Sequence, residues 1–112
     1  MGTTANTGQS TWEQIHGGVR ETERQIGQKN YNLAMVKARQ TLEYMVKCLC
    51  ERYGILEPGL LEMIDALYSA GKISKTTCEH YHKIRTIGNK AIHEGDNSAY
   101  NANQAHHLLS QE

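Results

Sequence analysis

Apolar residues recur along this chain at steps of three and four, and the recurrence breaks at a few glycines. Trp12, Ile15, Val19 and Ile26 share one helical face, which predicts a helix over 11–26. Ser10 or Thr11 offers its N-cap, with Glu13 and Gln14 in the first turn. Gly17 and Gly18 weaken that helix by about 1 kcal/mol each relative to Ala, and they leave room for another helix to come close. After a break at 27–30, Tyr31, Met35, Ala38, Leu42, Met45 and Leu49 repeat at alternating steps, with Ala34, Val46 and Tyr53 widening the stripe. The spacing predicts an amphipathic helix over 31–53, ended by Gly54. Pro58 opens a third helix over 59–70, whose buried face is Leu60, Leu61, Ile64 and Leu67 and which Gly71 stops. Ser74 caps a fourth, carrying Cys78, Tyr81, Ile84, Ile87, Ala91 and Ile92 and ending near His93, with Gly95 just beyond. Asn97 or Ser98 caps a fifth, with Ala102, Ala105, Leu108 and Leu109 as its apolar stripe.

No segment alternates with period two, so strands are not expected. The pattern predicts an all-α fold, a bundle of about four to five helices with an up-and-down antiparallel core. Residues 1–10 carry no apolar periodicity and are expected to form a disordered lead-in, leaving 11–112 as one helical domain. The fifth helix reaches Glu112 with no C-cap signal. The domain is therefore expected to be truncated at its C-terminus or to continue into a longer protein.

Composition narrows the function classes. With 38% hydrophobic residues and no Phe, the core is thin, and a second chain or a parent protein could supply missing burial. Twelve basic and twelve acidic side chains cancel, which removes any bulk electrostatic argument for nucleic acid or a membrane. The three cysteines, Cys48, Cys50 and Cys78, are odd in number, and no apolar signal core precedes them. Free thiols in a reducing cytoplasm are expected, and no membrane association.

The chemistry concentrates in 85–93, read RTIGNKAIH. Arg85, Asn89 and His93 are four apart and drift by about 80° in total around a helix, so they lie along one polar strip that His82 extends by a turn. Gly88 sits inside the helix, where close helix contact or ligand access would justify it. Arg39 and Glu43 form a matching pair on the second helix. Their order is the less helpful one within a helix, which points to engagement of a neighbouring helix. Arg39, Glu43, Arg85, Asn89 and His93 are therefore the candidate binding residues. Cys78 and His82, at i and i+4, could share one zinc, but Cys48 and Cys50 face different sides and His106 and His107 have no acidic or Cys partner, so no metal site is expected. Cys48 and Cys78 fall near apolar stripes and read as core residues rather than nucleophiles. No glycine-rich phosphate loop is present and no cofactor is expected.

Three segments taken together, KARQTLEYMVKCLCERYGI (37–55), LLEMIDALYSAGKIS (60–74) and KIRTIGNKAIHEGD (83–96), resemble a HEPN-like family, domain of unknown function 4145. That family is found in bacterial proteins, often beside restriction or helicase modules. The similarity covers about residues 15–112. It implies a helical bundle that pairs into a homodimer through the helices bearing the motif. Active HEPN ribonucleases place an Arg beside a polar residue, with a His a turn later. There the His manages a proton at the ribose 2′-hydroxyl and the Arg steadies the phosphate. Aligned on Asn89 and His93, this chain has Gly88 at the Arg position, and Arg85 lies three residues earlier. The expected function is thus a non-catalytic interaction and dimerisation module of a restriction, defence or nucleic-acid-processing protein. Its expected partners are a second copy and a fused or neighbouring effector domain, with nucleic acid or a nucleotide as the candidate target. Two alternatives stand beside it. One is a metal-independent endoribonuclease using His93 with Arg85 or Arg39; the other is a nucleotide- or anion-binding domain at the same patch.

Overall fold

The computed structural model describes residues 7–111, which form five helices and no strand. They are α1 (Thr7–Gly27), α2 (Tyr31–Tyr53), α3 (Leu60–Ser69), α4 (Lys75–Glu94) and α5 (Ala99–Gln111). The all-α bundle expected from the hydrophobic pattern is the fold observed. No helix among the described residues is long and apolar enough to cross a membrane.

Local signals set most of the boundaries. Gly54 takes a left-handed conformation at φ 69° and closes α2 through bonds to the Cys50 and Glu51 carbonyls. Ser74 accepts a hydrogen bond from the Thr77 N–H and starts α4. Gly95, left-handed at φ 68°, ends α4. Of the two cap candidates for α5, Ser98 does the work, accepting from the Asn101 N–H at 3.1 Å. Asn97 instead accepts the Asn32 N–H at 2.8 Å and ties the α4–α5 connection to α2.

One boundary differs from expectation. α1 begins at Thr7, not at Ser10 or Thr11. Once Ile15, Val19 and Ile26 pack against the core, extending the helix backwards adds a hydrogen bond per residue without a new nucleation cost. The remainder of the expected lead-in, residues 1–6, lies outside the described residues.

α2 is the hub, packed against each of the other four helices. Ala34, Met35, Ala38, Leu42 and Val46 are fully buried along it, and they meet Ile64 and Leu67 of α3, Ile84 and Ala91 of α4, and Ala102, Ala105 and Leu109 of α5 in one continuous core. Small side chains at 34, 38, 91, 102 and 105 let the helix axes approach closely, which suits a core without Phe. Burying a Leu or Ile of this set contributes about 1.5–3 kcal/mol each. Four positions placed on apolar stripes are exposed: Trp12, Tyr53, Leu61 and Ile92. Trp12 packs edge-on against His16, and the Tyr53 ring carries the Lys72 ammonium 4.7 Å from its centroid.

α1 and α2 lie antiparallel, with Gly18 against Thr41. A Cβ at Gly18 would stand 2.8 Å from Thr41 Cγ2, whereas one at Gly17 meets nothing within 4 Å. Only the second glycine of the pair serves close approach.

Candidate functional site

α2 and α4 also run antiparallel, since Arg39 reaches Asn89 while Asn32, about two turns earlier, reaches Ala91 and Asp96. At the middle of this seam sits Gly88, buried. A Cβ there would lie 2.8 Å from Arg39 Cδ and 2.9 Å from Cγ, and closer still to Arg39 Cβ. The absence of a side chain on α4 is what lets the aliphatic stem of Arg39 lie flat across the helix. Of the two motives for Gly88, close helix contact is the one observed.

The stem delivers the guanidinium to Asn89. Arg39 Nε–H donates to Asn89 Oδ1 at 2.8 Å, and Arg39 Nη1 lies 3.4 Å from Glu43 Oε1. Glu43 in turn pairs with Lys47 at 3.5 Å. The Arg39 side chain is 23% exposed and that of Glu43 33%, so the group is a half-buried polar brace open on one side to solvent. Arg39, Glu43 and Asn89 thus come together as the spacing suggested.

Arg85 and His93 do not join them. Arg85 Nε–H donates to His82 Nδ1 at 3.3 Å, and His82 Nε2 lies 2.7 Å from Asp65 Oδ1 on α3. Because Nδ1 accepts from Arg85, the neutral ring carries its proton on Nε2 and donates it to Asp65. Arg85 is therefore held by its own helix, through a histidine tied to α3, instead of joining Arg39. His93 is exposed in the last turn of α4, where its ring complements the negative end of the helix dipole.

Two residues of the region gave no signal in the sequence. Asn32 donates its side-chain amide to the Ala91 carbonyl at 2.8 Å and the Asp96 carbonyl at 2.7 Å, supplying donors that the C-terminus of α4 needs. Asp65 belongs to α3, so nothing local connects it with Cys78 and His82, yet donor atoms of the three lie within 4.8 Å of one another. Burial, reinforced by the Asp65 and Glu79 carboxylates, pushes the Cys78 thiol up.

The fold and this arrangement define an all-helical bundle domain, held across α2 and α4 by an Arg–Asn brace seated on a glycine. The chain belongs to the family described as Domain of unknown function (DUF4145), which it matches over residues 20–111. No curated protein and no solved structure matches it. The matched stretch contains Arg39, Glu43, Asp65, Arg85, Gly88, Asn89 and His93, so brace and strip both belong to the family region.

Proposed function

We propose that this domain is a non-catalytic interaction module that pairs with a second copy of itself through α2 and α4. One observation carries the reading. Gly88, Asn89 and Arg39, the residues standing where a ribonuclease of the resembled HEPN class assembles its chemistry, are spent on packing: the Arg39 charge is met by Asn89 and Glu43, and no hydrogen bond holds His93 beside it among the described residues. About two turns from Arg39 along α2, the same seam leaves apolar groups uncovered. Asn32 bonds to Ala91, and the residues following them, Leu33 and Ile92, are 41% and 50% exposed. Two copies meeting on this seam would bury those side chains, and a net charge of zero sets up no long-range repulsion between them. The resemblance to HEPN-like domains supports the same pairing. It also supports a place in a cytoplasmic restriction, defence or nucleic-acid-processing protein, with the effector chemistry on a fused or neighbouring domain.

Co-purification of two differently tagged copies tests the pairing. Ile92→Glu on one copy should abolish capture of the other, and Tyr68→Glu, on the exposed face of α3, should leave it intact. Capture that survives Ile92→Glu would refute this seam.

One geometric fact favours a second reading. Arg39 brings a guanidinium to Asn89 from across the seam, near the position that Gly88 leaves vacant on α4. A metal-independent endoribonuclease would then use His93 as acid and base and Arg39 at the phosphate. Cleavage of labelled RNA in the presence of a chelator, lost in both His93→Ala and Arg39→Ala, would establish it over the first.

A further inference from the structure

We infer that Asp65, Cys78 and His82 form a binding site for a thiophilic divalent cation of the zinc class, clamping α3 to α4. The inference stands apart from the pairing proposed for α2 and α4.

The donor set is the first argument. One carboxylate, one sulfur and one imidazole, drawn from two helices, have ligand atoms within 4.8 Å of one another. A tetrahedral zinc with bonds of about 2.0–2.3 Å spaces its ligands roughly 3.3–3.8 Å apart. The widest pair must therefore close by about 1–1.5 Å while the Asp65–His82 pair, now 2.7 Å apart, opens by about 0.6 Å or more, both within reach of side-chain torsions. A cysteine thiolate selects zinc or cobalt over magnesium and calcium.

The scaffold is the second. Cys78 and His82 are one turn apart on α4, so they face the same side. The connection from α3 is held by Lys72 N–H to the Leu67 carbonyl at 2.9 Å and by the Ser74 cap on Thr77. Buried Ile64, Leu67 and Ile84 fix the two helices against each other. The ligands are therefore arranged before the ion arrives. Cys78 is buried and forms the floor, while Asp65, with its side chain 61% exposed, forms the rim. The fourth position opens to solvent and would hold water.

The proton balance closes. Binding takes the thiol proton of Cys78 into solvent. The cation takes the place of the proton between Asp65 Oδ1 and His82 Nε2, now 2.7 Å apart, and that proton moves to Nδ1, so the ring stays neutral. Arg85 Nε–H then loses its acceptor there and must turn outward. Two anionic ligands neutralise the ion, and the Arg85 charge beside it opposes binding.

Titration of the full chain with Co²⁺ tests the site. One equivalent should bind with a sulfur-to-cobalt charge-transfer band in the near ultraviolet and tetrahedral d–d bands in the visible. Cys78→Ser should remove the charge-transfer band. Asp65→Asn and His82→Gln should weaken binding by tenfold or more. The double variant Cys48→Ser/Cys50→Ser should keep the spectrum, and Arg85→Ala should tighten binding several-fold. Asp65 is at the surface, so Asp65→Asn keeps the test valid even where Cys78→Ser misfolds. Absence of the charge-transfer band, its dependence on Cys48 or Cys50, or binding indifferent to Asp65→Asn and His82→Gln would each overturn the proposal. Surface coordination by His106 and His107 would give no sulfur band and counts against it in the same way.

Discussion

Adding one methyl group at Gly88 probes the α2–α4 seam directly. In a free helix Gly→Ala stabilises by about 1 kcal/mol. At Gly88 the new Cβ would stand 2.8 Å from Arg39 Cδ and 2.9 Å from Cγ, with Arg39 Cβ nearer still. Cδ and Cγ can swing, but Cβ is fixed to the α2 backbone, so the helices themselves must part. Overpacking of this kind costs about 1–3 kcal/mol. Parting also stretches the 2.8 Å bond from Arg39 to Asn89, worth about 1 kcal/mol. The propensity gain offsets one of these, leaving a net loss of about 1–3 kcal/mol. Gly17→Ala is the matched control, because nothing lies within 4 Å of its Cβ, and it should stabilise by about 1 kcal/mol. At this chain length 1 kcal/mol moves the melting temperature by roughly 4 °C. Calorimetry should show Gly88→Ala melting about 4–12 °C lower and Gly17→Ala about 4 °C higher. In an Arg39→Ala background the Gly88→Ala loss should shrink but not vanish, since the nearest atom remains. A Gly88→Ala protein as stable as Gly17→Ala would refute the close approach.

Further outcomes follow from the same geometry. Asn32→Ala should destabilise by about 1–2 kcal/mol in urea unfolding, because the Asp96 carbonyl loses the Asn32 amide and the Ala91 carbonyl is left with the Gly95 N–H; an unchanged midpoint would contradict that bracing. Glu21 is held at about 2, down from 4.5, by its hydrogen bonds to Arg24 and then Gln25, with Lys37 of α2 adding to the pull. A depressed carboxyl stabilises the fold above its unfolded value and loses that contribution as pH falls, so stability should decline between pH 4.5 and about 2. Glu21→Gln should flatten that decline, and an identical pH profile would exclude Glu21 as its source. Burial raises both the Cys50 and the Cys78 thiol. In metal-free protein at neutral pH both should alkylate slowly when folded and rapidly in denaturant, read by peptide mass spectrometry.

Much of the fold is written locally. Tyr31–Tyr53 has the bounds its periodicity predicts, and Ser74 and Gly95 bracket α4, because caps and left-handed stops act within a turn of their own residue. α1 starts early because nothing at Ser10 compels a stop. Exposure is less legible. A stripe says which face of a helix is apolar but not whether another helix covers it, and so Trp12, Leu61 and Ile92 are exposed while Ala34 and Ala102 are fully buried. The candidate site was legible in part. The unfavourable order of Arg39 and Glu43 within α2 pointed across to α4, where Asn89 waits. Continuity of the strip on α4 misled for Arg85, whose partner is His82 on α4 itself, tied in turn to Asp65 on α3. Asp65 and Asn32 act across the chain, at separations of 17 and 59 residues from the groups they meet, where no local pattern reaches.

The pairing of two copies through α2 and α4 is the centre of this account, and light scattering with size separation reads it most directly. The chain should elute with twice its 12.6 kDa mass, and Ile92→Glu should elute at the single-chain mass while keeping its helical circular dichroism. A wild-type monomer at high concentration, or a dimer indifferent to Ile92→Glu, would contradict it.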